Sequence, residues 1–137
     1  MDHEVISEDL ELIESARNIV RMRYRENWHS VGAAIRTKSG KIITAVNIEA
    51  NVGRIAVCAE AVAIGKAISE GISDFDTIVA VQHPHPEDED REIKIVSPCG
   101  MCRELISDYG EDTKVIYKSE DRTRKSDILD LLPYKYR

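Results

Sequence analysis

Cys58-Ala59-Glu60 and Ser97-Pro98-Cys99-Gly100-Met101-Cys102-Arg103 hold all three cysteines of the 137-residue chain. One cysteine stands two residues before a glutamate, and the other two are spaced C-x-x-C behind a proline. Three thiolates fill three corners of a tetrahedral Zn²⁺ site and leave the fourth for water, the pattern of a catalytic rather than a closed structural centre. Both segments also read as helix starts. Ser97 suits an N-cap and Pro98 a first helical position, for a helix ending near Gly110. From Cys58 to Glu70 the apolar Ala59, Val62, Ala63, Ala67 and Ile68 form one helical stripe, and Gly71 stops it. A helix N-terminus carries partial positive charge and spare N–H donors, which favours a thiolate there. Cys99 and Cys102, three apart, share a face of the first turn, and Cys58 must arrive beside them through the fold.

Working outward, residues 7–28 predict a first helix, N-capped by Ser7, with Leu10, Ile13, Val20 and Tyr24 at helical spacing. Val31–Thr37 and Lys41–Asn47 flank Lys38-Ser39-Gly40 and predict a β-hairpin, Gly40 supplying the positive φ of its turn. Thr77–Val81 is a nearly unbroken apolar run, which suits a strand covered on both faces. Gln82–Glu92 reads as a solvated acidic loop, His83 and His85 included. Ile93–Val96 leads into the second cysteine segment, Thr113–Tyr117 predicts a further strand, and Ser126–Leu132 a short last helix stopped by Pro133. No repeat, low-complexity segment or linker interrupts the chain. A hairpin followed by alternating helix and strand predicts one domain over 1–137, a three-layer α/β/α sandwich around a mixed sheet of about five strands.

Composition narrows the function classes. Hydrophobic content of 42% and charged content of 32% suit a globular domain large enough for a core. The formal net charge of −6 argues against nucleic acid as a partner. No apolar run reaches the about 20 residues of a membrane span. Met1-Asp2-His3-Glu4 lacks the basic-then-apolar pattern of a signal peptide. An odd cysteine count in a C-x-E and C-x-x-C setting favours metal in a reducing cytoplasm over disulfides.

Three cysteines with a non-ligating glutamate form the signature of zinc-dependent nucleobase deaminases, in which the glutamate carries protons. Glu60 is that acid/base, and hydrolytic loss of ammonia from an amidine-like carbon is the reaction these parts suit. Three thiolates leave the zinc site formally at −1, so a nearby arginine, Arg54 or Arg103, is a candidate to offset the excess charge. A closed zinc knot is the competing reading, but it would leave Glu60 and Pro98 without a purpose.

At these residues the chain resembles the cytidine deaminase family, and within it most resembles the bacterial blasticidin S deaminases. The resemblance runs from about Val31 to Tyr136. It rests on Val31-Gly32-Ala33-Ala34, Asn47-Ile48-Glu49, the two cysteine segments and the closing Leu131-Leu132-Pro133. Gly53-Arg54, the run Val57–Gly65, Asp74–Val81 and Met101–Tyr109 narrow it to the blasticidin branch. The resemblance implies one Zn²⁺ per subunit on Cys58, Cys99 and Cys102, with Glu60 as proton shuttle. It implies a small-molecule nucleoside substrate, its sugar hydroxyls held by Asn47 and Glu49, with Ala59 and Ser97 also on the substrate side. It further implies a homotetramer with sites completed by neighbouring subunits, and for the blasticidin branch a role in antibiotic resistance.

Two departures from the cytidine deaminase pattern stand out. Ala61 follows C-A-E where arginine is usual, and His29 stands where a phenylalanine precedes V-G-A-A. His29 then either lines the nucleoside pocket or caps the first helix. Both departures favour the blasticidin branch, whereas the full Asn47-Ile48-Glu49 motif keeps cytidine and deoxycytidine open, as in pyrimidine salvage. A polynucleotide cytosine deaminase is disfavoured by charge, and a non-catalytic zinc-stabilised binding module is the remaining alternative.

Overall fold

The alternation of buried side chains along three central strands sets the layers of the computed structural model, which describes residues 2–137. Met1, part of the N-terminal segment read above, lies outside them. On β2 (Val31–Thr37), Ala33 and Ile35 face one side of the sheet and Ala34 the other. On β4 (Phe75–Gln82), Ile78 and Ala80 alternate with Val79 and Val81. On β6 (Lys114–Ser119), Val115 and Tyr117 alternate with Ile116. Each strand is apolar on both faces, so each face needs a cover. Helix α1 (Ser7–Arg23) covers one face with Leu12, Ile13, Ala16 and Val20. Helices α2 (Ala59–Ser69) and α3 (Gly100–Tyr109) belong to the other layer, where Ala59, Ala63, Ile64, Ala67 and Ile106 join the core. The three-layer α/β/α sandwich around a mixed sheet is therefore the observed architecture.

Among the described residues the sheet has seven strands rather than about five. Its main path, with β1 (Asp2–His3), β3 (Ile42–Val46) and β7 (Arg122–Asp127), runs β1-β7-β6-β4-β2-β3, and β5 (Lys94–Val96) pairs with β4 off this path. The hairpin β2–β3 is antiparallel, and Gly40 has φ 93°. The β4–β6 pair is parallel, and the rest are antiparallel. Strand β7 reads Arg-Thr-Arg-Lys-Ser-Asp and carries no apolar signal. It forms because Glu120 and Asp121, at φ 53° and 62°, make a tight left-handed turn that returns the chain along β6.

Other boundaries also move. The first helix ends at Arg23, not 28, because the chain turns back through a bridge between Arg25 and His29, with Asn27 at φ 65°. Ser7 is the first helical residue rather than the cap; Ile6 holds the cap position and donates its N–H to Asp9. The expected helix over 126–132 is a 3-10 turn at Ile128–Leu131, since Ser126 and Asp127 are spent in β7. Pro98 stays outside α3, which starts at Gly100 with Cys99 at its cap. No helix among the described residues is long and apolar enough to cross a membrane.

Two features hold α1 to the sheet. Gly32 lets helix and strand approach closely: a Cβ there would lie 2.5 Å from the Ala16 carbonyl oxygen and 3.0 Å from Val20 Cβ. Asp9, fully buried, accepts from Arg36 of β2 at 2.9 Å and Lys125 of β7 at 2.8 Å, as well as from the Ile6 amide. Arg36 also reaches Asp76 of β4 at 3.0 Å. Burial by itself pushes the Asp9 carboxyl up, but the Ile6 amide, Lys125 and Arg36 outweigh it and hold the group below its ordinary value.

Gly32→Ala is expected to cost about 1–3 kcal/mol through overpacking, read as a lowered thermal midpoint. Asp9→Asn should cost about 3 kcal/mol at neutral pH, because it leaves two buried cations short of a partner. The folded Asp9 carboxyl titrates below the unfolded one. Its contribution is therefore complete above the ordinary carboxylate range and fades as pH falls through the folded value. In urea titrations the gap between parent and Asp9→Asn should accordingly narrow in acid.

Candidate zinc and nucleoside site

The two cysteine segments meet because of where β5 pairs. Strand β6 pairs Thr77–Val79 of β4, and β5 takes the remaining Ala80–Gln82 of the same strand. The chain therefore leaves β4 at Gln82, loops through 83–93 and returns along the strand end it has just left. It then passes directly into Ser97-Pro98-Cys99. On the other side, Ile48 and Val57 exchange backbone hydrogen bonds at 2.9 and 2.8 Å. That bridge sets the Asn47–Glu49 segment against the entry to Cys58.

Cys58 caps α2 and Cys99 caps α3, both with extended backbone, while Cys102 sits one turn into α3. The three sulfurs lie within 4.8 Å of one another, and Cys58 Sγ and Cys99 Sγ are 3.6 Å apart. Sulfurs about 2.3 Å from one ion at tetrahedral angles stand about 3.8 Å apart, so the spacing suits Zn²⁺. No fourth histidine or carboxylate completes the group among the described residues.

The three thiols differ in their electrostatics. Burial pushes the fully buried Cys102 thiol far up, and the Glu60, Cys58 and Cys99 neighbours add to it. Burial and Cys99 also raise Cys58. At Cys99 burial is outweighed by the Cys102 amide and by contacts to the other two thiols, so this group is held below its ordinary value. Three adjacent thiolates become compatible when a cation shares their charge. The donor set fits one Zn²⁺ per subunit.

Glu60, on the first turn of α2, is 5% exposed, and burial raises its carboxyl above the ordinary range. It opens into a cavity of about 280 Å³ that Cys58 and Cys99 also line. Asn47, Glu49, Ala59 and Ser97 line the same cavity. The Asn47 side chain is heavily engaged: its Oδ1 accepts from the Ser30 and Val31 amides at 2.9 and 3.0 Å, and its Nδ2 donates to Trp28 O at 3.3 Å. Glu49 accepts from the Ala50 amide, and the Ser97 hydroxyl donates to Lys118 O at 3.1 Å.

The three remaining candidates fall elsewhere. His29 is not among the lining residues; its Nδ1 donates to the Asn47 carbonyl at 2.9 Å. Arg54 is exposed on a 3-10 turn, Gly53–Ile55, outside the cavity lining. Arg103 points along α3 to two backbone carbonyls, Pro98 O at 2.9 Å and Leu131 O at 3.0 Å. Sequence reasoning did not single out Val31, Ala56, Val57 and Val96, which form apolar wall. Val31 and Val96 are strand-end residues beside the motifs, and that adjacency was the available signal. A larger concavity of about 660 Å³ lies between the 83–92 loop and β5, lined by Asp88, Glu89, Asp90 and Glu92 with Lys94 and Lys118. It contains no metal-ligand group among the described residues. There His83 stacks on Tyr24 with ring centroids 3.9 Å apart.

Known proteins resemble this chain in sequence and fold. Blasticidin-S deaminase of Bacillus cereus is 56% identical over 132 residues, covering 96% of this chain and 94% of the relative. A crystal structure of cytidine deaminase from Burkholderia pseudomallei superposes with a TM-score of 0.73 at 27% identity, covering 93% of this chain and 98% of the other. Cytidine deaminase from Bacillus anthracis shares the fold with a TM-score of 0.77 at 24% identity, over 93% and 88% of the two chains. Residues 6–119 match the cytidine and deoxycytidylate deaminase zinc-binding region. With 114 consecutive residues inside that match and its three thiols gathered at two helix starts, the chain belongs to the cytidine and deoxycytidylate deaminase family.

Proposed function

We propose that this chain, acting as one zinc-dependent deaminase domain, hydrolyses the 4-amino group of a cytosine nucleoside and that blasticidin S is its principal substrate. The observation that carries the reading is one cavity lined by Glu60, two of the three thiols, Asn47 and Glu49. The preference for blasticidin S draws on the 56% identity to the Bacillus cereus enzyme. Cytidine and deoxycytidine are the second reading, favoured by Asn47 and Glu49 lining the pocket together.

Cys58, Cys99 and Cys102 would hold Zn²⁺, which would supply Lewis acidity to activate a water molecule. The protein's own part is proton handling and placement. Glu60, raised by burial, takes a proton from the attacking water and delivers it to the ring nitrogen next to C4. It then moves a second proton to the leaving amine, so that water and the 4-amino group become a ring carbonyl and ammonia. Asn47 and Glu49 hold the sugar, while Val31 and Val96 supply apolar wall and Ala59 and Ser97 border the base. Helix starts at Cys58 and Cys99 place N-terminal partial charge against the sulfurs, a compensation that needs no arginine in contact.

The wider reading is a cytoplasmic homotetramer that confers resistance to the antibiotic. Free thiols suit a reducing compartment. Ile48, Val52 and Ile55, 48%, 53% and 62% exposed, place apolar surface on the loop that borders the cavity mouth, where a neighbouring subunit would cover it.

Ultraviolet absorbance with blasticidin S, cytidine and deoxycytidine in separate cuvettes tests the substrate. The cytosine band should fade fastest with blasticidin S; a faster loss with cytidine would move the enzyme to nucleoside salvage. Glu60→Gln should lower turnover by about 10³-fold while zinc content stays at one per chain. Unchanged activity in that variant would sink the proton-shuttle role. Sedimentation of Ile55→Glu should show a smaller assembly than the parent tetramer, and a monomeric parent would overturn the oligomer.

A further inference from the structure

Helix α3 carries two of the three zinc ligands; it sends Ile106 into the core and lies beside α2 and the 3-10 turn at Ile128–Leu131. The pairing of β5 with β4 delivers the chain to this helix, and polar bonds from the C-terminal segment add a second hold on it. The 131–137 segment is bonded to the helix at two levels and to the chain just beyond it at a third. At the zinc end, the Arg103 guanidinium joins Pro98 O, the carbonyl next to Cys99, to Leu131 O. One turn on, Lys135, with a side chain only 8% exposed, lies between Glu104 at 3.1 Å and Asp108 at 2.6 Å. Beyond the helix end, Arg137 pairs in two-pronged fashion with Glu111 at 2.9 and 3.1 Å.

A further sign is strain. Tyr134 has φ 57° while its side chain is fully exposed, so the ring contributes nothing to holding that conformation. A non-glycine residue stays in the left-handed region where surrounding contacts hold it there. Here those contacts are the flanking bonds from Leu131 and Lys135 to α3.

We infer that Arg103 is a positioning residue for zinc, buckling the 131–137 segment to the Pro98 carbonyl so that Cys99 and Cys102 keep their spacing, with Lys135 as the second fastening. Arg103 acts through the backbone of the ligand loop and touches neither sulfur nor substrate. The role differs from charge compensation. A guanidinium spent on two carbonyls orients Cys99 through geometry, and a lysine, which lacks the planar fork, cannot bridge both carbonyls in the same way. This inference rests on zinc being held by the three cysteines.

Zinc release to a chromophoric chelator and thermal midpoints of zinc-loaded and metal-free protein, measured on parent, Arg103→Ala, Arg103→Lys and Lys135→Ala, test it. Zinc content of the parent checks the underlying metal reading separately: a parent that binds no zinc refutes that reading before any variant is compared. Arg103→Ala should release zinc about tenfold faster, and the rise in midpoint on adding zinc should shrink. Arg103→Lys and Lys135→Ala should shift both readouts in the same direction by less. A merely structural Arg103 would lower the loaded and metal-free midpoints equally and leave the release rate unchanged, and that result overturns the inference. Should Arg103→Ala fail to fold, unchanged release in both Arg103→Lys and Lys135→Ala overturns it equally.

Discussion

The site exists because two helix N-termini are brought side by side at one edge of a sheet strand. A sulfur at each helix cap and a third one turn along α3 cannot gather within 4.8 Å unless both starts converge. The device that makes them converge is the sharing of β4 between two neighbours. Strand β6 pairs with its first half in parallel, and β5 pairs with its second half in the opposite sense. Every other part of the fold serves this edge. The hairpin β2–β3 backs β4 and carries the chain into Asn47–Glu49, and the bridge between Ile48 and Val57 delivers Cys58 from that side.

The two faces of the sheet divide the work. The α1 face is the stabilising one, with a tight helix-to-strand approach over Gly32 and a buried carboxylate at Asp9 that ties the helix to β2 and β7. Buried ion pairs add little net stability over an apolar equivalent, but a helix docked through them has one register in which every charge is met. The opposite face carries the chemistry. There small residues, Ala59, Ala63 and Ala67, let α2 lie close to the sheet, and Glu60 is set inward at 5% exposure. Burial raises the Glu60 carboxyl, a shift in keeping with the proton-carrying role proposed for it.

Around the sulfurs the protein spends polar groups on backbone rather than on the ligands. Asn47 binds two amides and a carbonyl of the 28–31 turn, His29 binds the carbonyl of Asn47, and Arg103 binds two carbonyls. These bonds tie the loop segments around the site to one another. Arg54, by contrast, lies outside the cavity lining on an exposed turn. Neither arginine meets the zinc thiolates directly in this arrangement of one chain, and compensation of their charge falls to helix termini and to the metal.

What the sequence by itself determined was whatever is encoded in short range. Three cysteines at set spacing carry the metal site, and alternating or nearly unbroken apolar runs carry β2, β3, β4 and β6. What is written in pairing rather than in pattern could be decided only by the tertiary structure. Strand β7 has no apolar alternation and β1 only two residues; both are strands because β6 and β7 offer unpaired edges with a buildable register. The last turn of the expected first helix is lost to the Arg25–His29 bridge, and the expected last helix to β7. Likewise, the sequence marked Arg103 and His29 as near the site but not what they bond. A side chain's partner depends on segments 18 to 28 residues away, here Asn47 and Leu131, and no local spacing records where such a segment will lie.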